Sequence, residues 1–289
     1  MQATLPSQPR AKAASAHDRV RHVVFRTNGR THGPITRLAS PSDVGELIKP
    51  FVFLDHCVIE SSRQPGFNMH PHSGIATITV PLSGAIEYED TTGKKGVLSA
   101  GGIEWMKAGN GVWHDGSVLP GDVARVFQLW IALPASQENS PAESQYVAPS
   151  DVRQEGPVRV ILGSYGNAAS TVRSPEGIHY YHVQLEDGES WRHEPPAGYS
   201  VAWLAVDQGQ LYAPEPVEAG QLAVFSESDG DAVEVQAHGR VSFVFGTAIK
   251  HPHPLMLGSY SVHTSREALE RGEAEIGRIG KHLRAIGRI

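Results

Sequence analysis

The sequence predicts an all-β protein, two tandem antiparallel β-barrels closed by a C-terminal helix. Three observations predict it. Short runs of β-branched and aromatic residues, bounded by Gly, Pro, Asn, Asp or Ser, recur along most of the chain, as strands joined by tight turns require. A polar stretch, ASQENSPAESQ at 135–145, divides these runs into two series. The 289 residues also exceed what one compact core usually holds, so two units of similar size are expected.

The first series comprises residues 21–25, 51–54, 74–80, 85–89, 96–98 and 123–133. The second comprises 158–162, 180–184, 200–206, 221–225 and 241–246. Strands this frequent, with little helical periodicity between them, suit sandwiches or barrels. The expected organisation is a disordered tail over 1–19, a first domain over 20–134, a linker over 135–146, a second domain over 147–260 and a helical tail over 261–289. Thr264 and Glu267 have capping-box spacing ahead of the one convincing helical pattern, which runs from 266 onward. Gly272 and Gly277 weaken that helix, so it should depend on packing against a barrel.

Composition excludes several classes of function. A net charge of −6 argues against a nucleic-acid footprint, which needs clustered Lys and Arg. The short basic segment from Arg19 to Arg26 reads as a solvated face. No run approaches the length of a membrane span, and the first residues carry no hydrophobic signal core. The single cysteine, Cys57, sits in the apolar stretch PFVFLDHCVI and reads as a buried inert thiol. With no internal disulfide possible, a reducing cytoplasm is the expected location.

The chemistry concentrates in histidines. In NMHPHSGIATITV, residues 68–80, an extended strand would put His70, His72, Gly74, Ala76, Ile78 and Val80 on one face. The small Gly74 and Ala76 would leave room beside the two imidazoles, and Pro71 would confine the piece to an edge or a strand start. An H-x-H pair offers two neutral nitrogens to one divalent ion. The glycine-rich GGIEWMKAGNGVWH, residues 101–114, leads into a short strand carrying His114, which can complete a three-histidine site if the strands are neighbours.

Together these segments resemble the paired motifs of the cupins, and more closely the N-terminal domain of the pirin family. The matching text is PFVFLDH at 50–56, HPHSGIATITVPLSGAIEYEDTTGKKGVL at 70–98, GGIEWMKAGNGVWH at 101–114 and FQLWIALP at 127–134, with VHTSREALERGEAEIGRIG similar to the tail helix. The resemblance implies a bicupin fold with a mononuclear metal in the first barrel, held here by His70, His72 and His114. Iron is the metal it favours, and imidazole equally suits nickel, copper or zinc. It implies quercetin 2,3-dioxygenase-like oxygenation of small phenolic or enolisable compounds, or alternatively non-catalytic protein-binding regulation with a structural or redox-sensing metal. The expected partner is therefore a small-molecule substrate or a protein, and the oligomeric state is left open.

The chain departs from that family at one informative position. Many pirins carry a glutamate two residues after the third histidine, where this chain has Gly116. Asp115 should point to the face opposite His114 unless a bulge turns it, and Ala76 stands where cupins usually place their other glutamate. Three neutral imidazoles would leave an ion its full +2 charge and favour an anionic oxygen ligand. His56 is a candidate replacement acid or base, with a structural role the stronger reading, and Gln128 can face the pocket. Trp105, Met106 and Trp113 can wall a pocket or fill a core. His251 and His253 read as an extended connection, and His179 and His182 fall on opposite strand faces. Glu87 and Glu89 read as a solvated face, and the GKKG at 93–96 as a hairpin turn.

Overall fold

The computed structural model describes residues 19–60, 67–119 and 123–289. All of the expected N-terminal tail except residue 19 lies outside them. Two antiparallel β bodies and a C-terminal helix make up the described chain, as the strand pattern predicts.

In chain order the elements up to residue 147 are Val23–Thr27 (β1), Arg30–His32 (β2), Ile35–Ala39 (β3), Val44–Ile48 (α1), Phe51–Glu60 (β4), Phe67–His72 (β5), Ile75–Ser83 (β6), Ala85–Asp90 (β7), Lys95–Ser99 (β8), Ile103–Lys107 (β9), Val112–Val118 (β10), Val123–Ala132 (β11) and Glu143–Val147 (β12), and all but β1 belong to the first body. Seven of them form one sheet in the order β12-β9-β6-β11-β4-β3-β2, and β5-β10-β7-β8 form a second. The polar stretch expected to link the domains thus contains β12, an edge strand paired with β9. Between β7 and β8 the GKKG segment makes the expected hairpin.

The second body is a nine-stranded sheet built on Ile178–Leu185, Val201–Ala213 and Val233–Ala248. β1 belongs to it, pairing with Leu222–Phe225. Within the basic segment 19–26, Arg19 and Arg26 are exposed, as expected of a solvated face, and Arg21 is the exception. Arg21 is fully buried and donates to the carbonyls of Asp231, Ser200, Tyr199 and Ser228. A buried guanidinium needs such acceptors, and two converging loops of the second barrel supply them.

One apolar core runs through both bodies. Phe51, Leu54 and Ile131 of the first pack with Tyr180, Trp203 and Val244 of the second, and Phe51 meets Trp203 edge-on at 5.3 Å. Side chains of this size each contribute about 1.5–3 kcal/mol on burial. A polar clasp crosses the same boundary. His56 Nε2 lies 2.8 Å from Asp207 Oδ1, and Arg125 Nε donates to that oxygen at 2.9 Å. His56 therefore has the structural role, facing away from the histidine cluster.

The run 70–80 is two strands rather than one. Gly74 has φ +76°, a left-handed conformation that costs glycine little, and it separates β5 from β6. The turn reverses the alternation and sends the two strands into different sheets. Ala76, Ile78 and Val80 consequently point into the core, and Thr79 faces the cavity instead. Gly74 itself is required by crowding, since a Cβ there would lie 2.1 Å from the Val262 carbonyl oxygen.

The long helix is Arg266–Ala285 (α2), capped by Ser265, whose hydroxyl accepts from the Ala268 amide. Thr264 does not cap it. Its amide and hydroxyl both donate to the Glu138 carboxylate, so the expected capping box gives way to a tertiary contact.

Candidate metal centre

β5 and β10 are adjacent antiparallel strands, and their register sets His70 directly opposite His114. His72 shares the face of His70, two residues along the same strand. His70 and His114 Nε2 lie 3.0 Å apart, and one nitrogen from each of the three rings falls within 4.8 Å of the others. It is the one such grouping of three or more His, Cys, Asp or Glu among the described residues.

The outward nitrogens decide the tautomers. His70 Nδ1 donates to the Asn68 carbonyl at 2.8 Å, and His72 Nδ1 to the Tyr260 carbonyl at 3.1 Å. Each bond places the proton on Nδ1 and leaves Nε2 with a bare lone pair aimed at the cluster. Burial lowers the pKa of all three rings, His72 to about 3, and the neighbouring imidazoles push His72 and His114 the same way. The three imidazoles are thus neutral at neutral pH, His70 and His72 with bare Nε2 atoms and His114 Nε2 donating to that of His70. Metal–nitrogen bonds of about 2.1 Å place nitrogen pairs about 3 Å apart, and the cluster fits one divalent ion.

The cluster heads a cavity of about 670 Å³ between the two sheets of the first barrel, a volume that suits a small organic ligand. Strand register builds its floor in rows. Tyr146, Glu104, Thr79, Gln128, Asp55 and Arg37 stand opposite one another across six strands as a polar row. Thr79 bonds to Gln128 at 2.8 Å and to Glu104, and Arg37 makes a two-pronged pair with Asp55 at 3.0 Å. On the His72 side of this row Phe53 and Trp130 stack at 4.1 Å, and His72 meets Trp130 at 4.8 Å. On the other side lie Val126, Cys57 and Ile35. The cavity's aromatic wall is thus Phe53, Trp130, Tyr88 and Tyr260. Trp105 and Met106 are core, and the Trp113 indole donates to the Ile276 carbonyl of α2.

Sequence reasoning missed Glu104. It is buried with Oε1 4.0 Å from His114 Nδ1 and 3.2 Å from the Tyr146 hydroxyl, which also donates to Asp90 at 3.0 Å. Burial raises its carboxyl pKa against the opposing hydrogen bonds of Thr79 and Tyr146. His114, its pKa lowered by burial, thus faces a carboxyl whose pKa burial raises. The one signal was a glutamate inside the apolar strand IEWMK, a position where an acid needs partners. The backbone carbonyls that orient His70 and His72 had no sequence signal.

At the position of the expected glutamate, Gly116 has open space around it. A Cβ there would sit 3.6 Å from Ile86 Cγ2 and 3.8 Å from the Glu87 carbonyl oxygen, ordinary contact distances. The register of β10 against β5 shifts between His114 and Gly116, and both Asp115 and Gly116 border the cavity. Gln128 also borders it. Cys57 is buried, and burial raises its thiol pKa well above the usual range, as expected of an inert thiol. In the second barrel His179 is hydrogen-bonded to the Tyr181 hydroxyl at 2.8 Å and His182 to Ser242 at 2.9 Å. His251 and His253 are neighbours with no third ligand among the described residues. Glu87 is exposed, and Glu89 pairs with Arg288 at 2.7 Å. No helix of the described residues is long and apolar enough to cross a membrane.

Comparison with known proteins agrees with this geometry. The pirin family profile matches residues 34–131, the span holding all three histidines. Among solved structures, a quercetin 2,3-dioxygenase from Acinetobacter baumannii superposes with a TM-score of 0.80 at 22% identity, covering 90% of this chain and 97% of that one. The bacterial pirin YhhW from Escherichia coli, in complex with nickel(II), superposes at 0.62 and 18% identity, covering 81% of this chain and 96% of that one. A pirin-like protein of Caulobacter vibrioides is 32% identical over 75% of this chain and 82% of its own length. With that relative, the matched span and the bicupin architecture in agreement, the chain belongs to the pirin family.

Proposed function

We propose that this protein is a metal-dependent oxygenase of quercetin 2,3-dioxygenase type, acting on a small phenolic or enolisable compound. His70, His72 and His114 hold one divalent ion, iron in the first instance, with nickel, copper or zinc as alternatives. The observation that carries this reading is the convergence of three imidazoles, two of them with Nε2 lone pairs bared by their Nδ1 bonds, at the head of a ligand-sized cavity. The bound ion would supply Lewis-acid and redox chemistry at that point.

The chain's other side chains have separable tasks. Phe53 and Trp130 offer a flat apolar surface beside His72 to a planar ligand. Gln128 and Thr79, next in the row, offer hydrogen bonds to its hydroxyl or carbonyl groups. Gly116 leaves room for a ligand oxygen where a carboxylate side chain would otherwise stand. A donor set of neutral imidazoles alone favours an enolate or carboxylate there. Asp115, on the same wall, is placed to accept the ligand's proton.

The test is anaerobic loading with each metal, elemental analysis, and oxygen uptake on flavonols and β-diketones. Turnover by the loaded protein and none by a His70/His72/His114 triple alanine variant is the expected result. A fully loaded protein that consumes no oxygen with any of them refutes it. The absence of an acidic ligand at Gly116 favours a second reading, a protein-binding regulator whose metal is structural or redox-sensing. That reading expects the triple alanine variant to lose partner capture, and unchanged capture defeats it.

A further inference from the structure

The C-terminal tail touches the histidine cluster through two separate strands. Ser73, the residue after His72, forms a parallel bridge with Ser261, and the Val262 amide donates to the Ser73 carbonyl at 3.3 Å. The Ser73 hydroxyl lies 2.8 Å from Ser261 Oγ and 3.0 Å from His263 Nε2. His263 Nδ1 in turn lies 3.2 Å from Glu138, the carboxylate that also receives Thr264. All four of Ser73, Ser261, His263 and Glu138 are buried, so this serine–histidine–glutamate line meets no solvent or substrate and acts as a latch rather than a nucleophile. One residue before the latch, the Tyr260 carbonyl receives His72 Nδ1, and its ring borders the cavity.

Beyond the latch, α2 reaches the other ligand strand. The Trp113 indole, next to His114, donates to the Ile276 carbonyl at 2.9 Å. Two helix glycines permit the approach. A Cβ at Gly272 would lie 2.4 Å from Ser73 Oγ and 2.6 Å from His263 Nε2, and one at Gly280 would lie 2.6 Å from the Trp113 ring. Gly277 differs, with nothing within 4 Å of its Cβ position.

We infer that the tail, through Tyr260, His263 and α2, is a positioning element of the metal centre, so that docking of the tail and binding of the metal are coupled. This rests on the three-histidine reading of the proposed function. His72 keeps its coordinating tautomer only while the Tyr260 carbonyl is in place, and that carbonyl is held by the latch that begins at the next residue, Ser261. Removing an outer partner of a metal-binding histidine typically costs about 10- to 100-fold in metal affinity. Reciprocity then requires that metal binding stabilise the docked tail by the same factor.

The test compares two glycine-to-alanine variants in one helix, with Co²⁺ alone as the probe. Gly272→Ala pushes α2 off Ser73 and His263, and Gly277→Ala adds the same methyl to an open face. Chelator competition should show Co²⁺ affinity about 10- to 100-fold weaker in Gly272→Ala, with an altered cobalt visible spectrum, and both unchanged in Gly277→Ala. His263→Ala should behave as Gly272→Ala. Hydrogen exchange on the wild-type chain serves if those variants do not fold, since Co²⁺ should slow exchange over 259–285 by a comparable factor. Wild-type affinity and spectrum in a folded Gly272→Ala variant, or tail exchange indifferent to bound Co²⁺, overturns the coupling and leaves the metal site standing. A wild-type chain that binds no metal overturns both.

Discussion

Gly116→Glu restores a carboxylate beside the three histidines, and the structure allows its consequences to be worked out. Gly116 does not have a left-handed φ, and its Cβ position meets only ordinary contacts at 3.6 and 3.8 Å. Glycine in a strand interior is itself unfavourable by roughly 0.5–1 kcal/mol, so the backbone gains slightly from the change. Two residues along a strand span about 6.8 Å, which an extended glutamate side chain bridges from position 116 toward the ring of His114. The apo-protein should therefore keep its stability within about 1 kcal/mol. With metal bound, the donor set changes from three neutral groups to three neutral groups and one anion, and the ion's net charge falls from +2 to +1. An anionic ligand about 4 Å from the new carboxylate then feels a repulsion of about 4 kcal/mol at an effective dielectric constant of 20. Solvent relaxation reduces that figure, and a loss of 10- to 100-fold in anion affinity, about 1.4–2.7 kcal/mol, is the expected remainder. The assay is chelator competition for the metal, followed by calorimetric titration of the loaded protein with a β-diketonate. Metal affinity should rise in Gly116→Glu and diketonate affinity should fall. A variant that binds metal no tighter than the wild type and the diketonate no weaker refutes the idea that Gly116 leaves a coordination position open.

Three further outcomes follow from the site and its surroundings. Glu104→Gln keeps the shape and the hydrogen bonds to Thr79 and Tyr146, but it cannot become an anion behind His114 when a cation arrives; metal affinity should fall about 10-fold or more with folding stability nearly unchanged, and an unaltered dissociation constant rejects that role. In the metal-free protein, burial holds His72 near pKa 3, against about 6.5 unfolded. Its contribution is complete above pH 6.5 and is lost as pH falls from 6.5 through about 3, at about 1.4 kcal/mol per pH unit, so urea midpoints of wild type should fall more steeply with acid than those of His72→Gln; parallel curves would contradict it. Asp207→Ala strips the buried partner from both His56 and Arg125 and should destabilise the chain by about 3–5 kcal/mol in urea unfolding, a loss below 1 kcal/mol being the contrary result.

Much of this protein was legible from local chemistry. Alternation and turn residues act over a few positions, so the β class, five strand segments of the second barrel and the tail helix could be read from the chain. The H-x-H pair and the glycine-rich approach to His114 are likewise local patterns. What the residues could not disclose depends on register and on distant segments. Gly74 reverses the face of everything after it because the Val262 carbonyl crowds it from 188 positions away. Arg21 is buried by loops of the other barrel, and Thr264 leaves its helix for Glu138. The polar row from Tyr146 to Arg37 exists only once six strands align. The missing carboxylate was visible at Gly116, but the acid behind His114 was not, because Glu104 reaches the site through strand pairing rather than through the motif. Short-range patterning specifies which groups the chain can offer, and long-range pairing specifies which of them meet.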